Sequence, residues 1–280
     1  MHRLPQRLLP AVPGALGLGL LGLAISAPLT SPLKAPPLGG PLQAQPLPAA
    51  RPAGPRACPV AEARRLVPRP SPTERTPPPT APAVASDYRH LLKPTPWGWP
   101  RRDHWCLWIE PGAIAGPAAR WDGRWRQAVQ AALNTWSAEL PITLVDDPRQ
   151  AQIQLLRRRP PLRGGRASHG RAELQLVAVL RQGSWQLEPE VLVSISPGQR
   201  LEATQATALH ELGHAFGIWG HSDVAGDALA AIPGPVPVLE LSARDRATLG
   251  WLQSQPGLSQ PPPAAPAPAA GSAQTVLRAD

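Results

Sequence analysis

The sequence predicts an α+β fold, a sheet packed against helices, and three observations carry that prediction. Strand-like alternation and helical periodicity follow one another in the order strand, helix, several strands, helix, helix. The prolines are unevenly placed: of 40, 20 fall in residues 27–100 and 6 in 256–280, against 11 in 101–255. The middle of the chain can therefore bury a core, while the flanks read as unstructured. Proline and glycine together reach about 23% of the chain, close to the low-complexity range. That composition excludes two large domains, a long coiled coil and a multi-span membrane protein.

The elements follow in order. Trp105, Leu107 and Ile109 alternate with Cys106 and Trp108, which predicts a strand ended by Pro111-Gly112. Trp125, Val129, Ala132, Leu133 and Trp136 recur at helical spacing and predict a helix over 121–140, stopped by Pro141, with its tryptophans in the core. Short strands are predicted at 142–145 and around Ile153 and Leu155. Arg157–Arg159 reads as a solvated strand end. Residues 174–180 alternate as a strand, and 191–196 give another. A helix follows over 201–216. The last helix, over 242–253, has Ser242 as N-cap and Asp245 as the acidic partner of a capping box.

Four segments result: 1–26, 27–100, 101–255 and 256–280. Residues 1–26 read as a signal peptide, with Arg3 and Arg7 ahead of the apolar run Gly14–Ile25 and with small residues at Ala24 and Ser26. The apolar run is shorter than the ~20 residues a membrane span needs. Residues 27–100 form a Pro-rich linker or pro-segment, with a weak helical patch at Val60–Leu66, and 256–280 a Pro/Ala tail. This layout predicts a secreted or periplasmic chain with no stable span after signal cleavage.

Net charge is +9, but residues 101–255 hold 16 Arg against 15 Asp or Glu. The excess sits in the flanks, which argues against a nucleic-acid partner, since such a domain carries its basic stripe on the folded part. Cys58 and Cys106 are the only cysteines. In an oxidising compartment they can pair and staple the arm to the folded part; the alternative is two unpaired thiols.

The chemistry is concentrated in Ala208–Asp223, ALHELGHAFGIWGHSD. His210 and His214, four apart on a helix, share one face and can bind one ion, with Glu211 placed as general base. Gly217 can end the helix in a left-handed conformation and turn the chain back, so that His221 becomes the third ligand. Glu240 is the alternative third ligand. Asp223 is a candidate fourth, which would close the shell into a purely structural site. His104 and His169 read as ordinary surface histidines.

These residues resemble the metzincin metallopeptidases, and within them the secreted matrixin-like branch. Its pattern H-E-x-x-H-x-x-G-x-x-H is met by His210, Glu211, His214, Gly217 and His221, with one extra residue before His221 and Ser222 after it. Leu229 stands where that family has a methionine beneath the metal, and Leu241-Ser242-Ala243-Arg244-Asp245 matches the start of its final helix. The resemblance covers about residues 103–253. It implies a metzincin-like catalytic domain: a twisted mixed sheet with an active-site helix and a C-terminal helix. It also implies a monomeric, Zn²⁺-dependent endopeptidase acting on polypeptides, with His210, His214 and His221 on the metal and Glu211 activating a water bound there. An edge strand at 174–180 is then expected to pair with extended substrate. Ala230–Leu239 is expected either to wall the pocket or to be a plain loop. Pro55-Arg56-Ala57-Cys58 is similar to that branch's zinc-capping pro-segment motif. The alternative function is a non-catalytic, zinc-bearing secreted binding domain on a Pro-rich stalk.

Overall fold

The computed structural model describes residues 57–67, 81–162 and 168–259, and the backbone of 276–278. The expected signal peptide, residues 27–56 of the arm and most of the tail lie outside the described residues. The elements are β1 (Ala63–Leu66), β2 (Trp105–Ile109), α1 (Ala119–Ser137), β3 (Ile142–Leu144), β4 (Ile153–Leu156), β5 (Gly170–Arg181), β6 (Ser184–Ile195), α2 (Leu201–Ala215), α3 (Ala243–Ser254) and β7 (Val276–Arg278). They form a mixed α+β fold around one seven-stranded sheet, in the order β1-β5-β6-β4-β2-β3, with β7 also on β5. β3, β2, β4 and β6 are parallel neighbours, and β5 is antiparallel to β6. No helix among the described residues is long and apolar enough to cross a membrane.

The predicted helical stripe on α1 is buried, from Trp125 to Trp136, while Trp121 faces solvent. Trp136 and Trp105 each meet Phe216, at ring-centroid distances of 5.3 and 5.8 Å, so one aromatic cluster ties α1 and β2 to the end of α2. The Trp136 indole N–H donates to the Leu209 carbonyl at 3.0 Å, which satisfies its one polar atom in the core. The capping box on α3 forms as predicted: Ser242 Oγ accepts from Asp245 N, and Asp245 accepts from Ser242 N.

Four expectations are corrected. First, the folded body begins upstream of residue 101. Tyr88, Leu92, Trp97 and Trp99 are buried in the core, because aromatic and aliphatic side chains between the prolines supply apolar area that helix or strand periodicity does not reveal. Second, residues 63–66 are a strand rather than a helical patch. Third, residues 184–190 belong to β6. The hairpin turns on Gln182 (φ 51°) and Gly183 (φ 72°), two adjacent left-handed residues of the kind that match strand twist. Polar residues and Pro189 hide that half of the strand from alternation. Fourth, residues 174–180 are not a free edge. β1 pairs with Val177–Leu180, and β7 with Glu173–Gln175.

Cys58 and Cys106 are joined as a disulfide, which ties the arm to β2. The Cys58 sulfur therefore offers no thiolate to a metal, and the zinc-capping expectation does not hold in this state. Arg157 is less solvated than a strand end: its N–H donates to Glu110 at 2.8 Å and its guanidinium pairs with buried Asp122 at 2.9 Å.

Candidate metal centre

α2 carries the first two histidines on one face, and Gly217 turns the chain back. At φ +108° Gly217 adopts a conformation that other residues rarely take, and a Cβ there would lie 2.9 Å from the Pro100 carbonyl oxygen. Gly217 N donates to His214 O, and Ile218 N to Gly213 O, closing the helix end. The added residue before His221 fits because Gly220 runs against the 91–92 backbone. A Cβ on Gly220 would come within 2.3 Å of the Leu91 oxygen. Lys93 N donates to Trp219 O at 2.7 Å and fixes that approach.

The three predicted histidines converge. His214 Nε2 lies 3.1 Å from His210 Nε2 and 3.2 Å from His221 Nε2. The Nδ1 of His210 donates to the Ala228 carbonyl at 2.8 Å, and that of His214 to the Ile218 carbonyl at 2.7 Å. With those protons assigned to Nδ1, both Nε2 atoms are bare acceptors that face one another, an arrangement that is repulsive unless a cation lies between them. Tetrahedral coordination with bonds of ~2.05 Å places ligand nitrogens ~3.3 Å apart, close to the spacing here. Burial, and then the neighbouring histidines, hold His214 well below its ordinary pKa and His210 down at about 4, so both are neutral and fit to ligate at neutral pH.

A buried second layer orients this cradle. Leu229 is fully buried against α2, and Gly213 makes room for it: a Cβ there would meet Leu229 Cδ2 at 2.7 Å. Asp245 is also fully buried. It accepts from Ala228 N at 2.8 Å, from Ser242 N at 2.9 Å and from the Tyr88 hydroxyl at 2.6 Å. Ala228, whose carbonyl orients His210, is thus held by Asp245, which is held in turn by a tyrosine 157 positions upstream of it.

Glu211 stands beside the cradle at 8% exposure, with Oε2 lacking a hydrogen-bond partner. Burial pushes its carboxyl up to about 8, opposed by the Ala172 N–H and by the charge of Arg171. Gly170, at the start of β5, leaves space for it, since a Cβ there would fall 2.6 Å from Glu211 Cγ and Oε1. A cleft of about 380 Å³ opens over His210 and Glu211. Ala203, Ala206 and Thr207 of α2 line one side of it, and Ala230, Pro233 and Val238 the other. The 230–239 segment is therefore a wall of the cleft.

The remaining predicted residues lie elsewhere. Asp223 is exposed and pairs with Arg244 at 2.9 Å, and Glu240 is exposed, so neither joins the cluster. Among the described residues only His210, His214 and His221 converge at this point. His169 is exposed at the cleft mouth. Half-buried His104 bonds the Thr143 hydroxyl at 2.9 Å and lies beside the disulfide. Sequence reasoning missed Tyr88 and Gly170. The first lies in a segment dominated by its prolines, and the second is one glycine among 24. No family model matches the chain, and no curated protein matches it.

Proposed function

We infer that the chain is a secreted, zinc-dependent endopeptidase with a metzincin-like, matrixin-like catalytic domain. One observation carries the reading: the Nε2 atoms of His210 and His221 lie 3.1 and 3.2 Å from that of His214, beside a buried glutamate whose Oε2 has no hydrogen-bond partner, at the floor of a cleft. The donor set, with two Nδ1 atoms tied to backbone carbonyls, fits Zn²⁺ held by His210, His214 and His221. When bound, zinc supplies Lewis-acid polarisation of a carbonyl and lowers the pKa of water to about 7.

The chain's own residues do the rest. The cleft takes an extended peptide with its scissile carbonyl over the cradle. Glu211 accepts the proton of the attacking water and delivers it to the departing amine nitrogen, so the C–N bond breaks without a charged amide leaving group. A cation in the cradle opposes the burial that raises the Glu211 pKa, which keeps the carboxylate ionised for that role. The pairing of Asp223 with Arg244 leaves no fourth protein ligand among the described residues. That weighs against the non-catalytic reading, because a structural zinc shell is closed. The disulfide is compatible with an oxidising compartment and a secreted chain.

The test is cleavage of a broad quenched-peptide library by the zinc-loaded chain beside Glu211→Gln. General acid–base catalysis contributes about 10²–10⁴-fold, so the variant should lose activity by at least ~10²-fold while keeping its zinc. A folded, zinc-loaded parent that cleaves nothing would favour the binding-domain alternative.

A further inference from the structure

We propose that Cys58, Cys106 and His104 form a second metal site, closed while the two sulfurs are bonded to each other and opened to a thiophilic cation, Zn²⁺, when an external dithiol reduces them. The site uses none of the residues of the histidine cradle and does not rest on the peptidase reading.

Three ligand atoms are already gathered. The Cys58 and Cys106 sulfurs and a ring nitrogen of His104 all lie within 4.8 Å of one another. His104 immediately precedes β2, and residues two apart along a strand point to one side. His104 and Cys106 therefore share a side, while Trp105 between them is fully buried in the core. The imidazole is oriented as well. Its Nε2 bonds the Thr143 hydroxyl at 2.9 Å, and Thr143 is the β3 residue paired with Cys106. Contacts of this kind fix the ring of a metal-ligating histidine. The Arg102 guanidinium holds the backbone beneath it by donating to the His104 carbonyl at 3.2 Å.

The arm has other fastenings than the disulfide. Arg181 donates to the carbonyl of Pro59, the residue after Cys58. Glu62 N donates to the Leu180 carbonyl at 2.9 Å, and Gln182 N to Glu62 Oε1 at 2.6 Å. β1 then pairs with Val177–Leu180, and Arg64 with Glu190. Reduction thus leaves Cys58 beside Cys106. The two Cα atoms stand 5.9 Å apart. Rotation about the Cα–Cβ bonds opens the sulfurs to the ~3.8 Å that two Zn–S bonds of ~2.3 Å require at a tetrahedral angle.

The donor set selects the ion. Two thiolates and an imidazole suit Zn²⁺ and not Mg²⁺ or Ca²⁺, and they leave a fourth position for water. The exchange balances. A thiolate of the external dithiol attacks one sulfur of the disulfide and expels the other, and its second thiol then resolves the mixed disulfide. The dithiol is oxidised to its own disulfide. Cys58 and Cys106 gain its two electrons and two protons. Zn²⁺ displaces those protons and takes the neutral imidazole of His104. The arm has a covalent staple in oxidising surroundings and a metal staple in reducing ones.

The test titrates the full chain with Co²⁺, a spectroscopic stand-in for Zn²⁺, before and after reduction by a phosphine that is then removed. The histidine cradle holds no sulfur, so a thiolate-to-cobalt charge-transfer band reports the second site alone. The expected result is one Co²⁺ without the band in the oxidised chain and two Co²⁺ with it in the reduced chain. In reduced His104→Ala and His104→Gln the second ion should bind at least about tenfold more weakly, read in whichever keeps the circular dichroism of the parent. A reduced parent that unfolds or shows no band overturns the proposal. So does a band of unchanged affinity in the His104 variants, which would mean adventitious binding by two thiols. No Co²⁺ in the oxidised chain, with one Co²⁺ and the band after reduction, would sustain this site and refute the peptidase reading.

Discussion

The two flanks of Glu211 are built on different length scales. On the helix side, residues 209–230 contact one another at short range: His214 with Ile218, four residues on, and His210 with Ala228, eighteen on. On the sheet side, β5 is completed by segments from both ends of the chain. β1 lies more than 110 positions upstream of its partners, and β7 about 100 downstream. The helix side is a buried cradle whose side chains are oriented by backbone carbonyls. The sheet side is an edge closed by a disulfide, ion pairs and short ladders. The difference separates a histidine cradle built locally from a sheet edge assembled across the chain, and each can be perturbed alone.

The largest stability effect is expected at the staple. Cys58→Ser with Cys106→Ser opens a loop of 48 residues, worth about 4 kcal/mol in the chain-entropy account. Urea unfolding should show that loss while zinc affinity stays within twofold of the parent. A large drop in affinity would break the separation of the two sides. Leu229→Ala should act on the helix side instead. Emptying a fully buried leucine costs about 2–5 kcal/mol, and zinc affinity should fall with it, because Leu229 packs against Gly213 between the two histidines of α2. Leu229→Met keeps the volume and should cost under about 1.5 kcal/mol.

The smallest effect is a slope with pH in the metal-free chain. His210 titrates at about 4 when folded and near 6.5 when unfolded, so the unfolded state binds more protons between those values and stability rises with pH there. Glu211 has the opposite sign. Its folded value of about 8 lies above 4.5, so the folded state binds more protons and stability falls as pH rises from 4.5 to 8. Between pH 6.5 and 8 the Glu211 contribution stands without that of His210. Urea melts in chelator should show falling stability in that window for the parent and a flatter profile for Glu211→Gln.

The same difference in length scale decides what the sequence reveals. The histidine cradle is legible because helical spacing places His210 and His214 together and a glycine three residues on marks the turn toward His221. α1 and α3 are legible from periodicity and a capping box. The role of Asp245 is only half legible, since the capping box requires one of its oxygens while the bonds from Tyr88 and Ala228 join residues that no local pattern connects. The covered edge of β5 is hidden for the same reason. A strand of three or four residues in a Pro-rich flank has too little alternation to register, and its pairing is settled by a partner elsewhere in the chain. Tyr88, Trp97 and Trp99 show that proline density marks the absence of regular elements, not of a core.

The account rests on three histidines holding one ion, and zinc titration against a chromophoric chelator tests that directly. It predicts one zinc per chain and an affinity at least about 100-fold lower in His210→Gln and in His221→Gln, beyond the 10–100-fold usual for losing an outer-shell partner. Glu211→Gln should bind zinc as the parent does. Zinc that fails to bind the folded chain, or that binds equally well after either histidine is replaced, would contradict it.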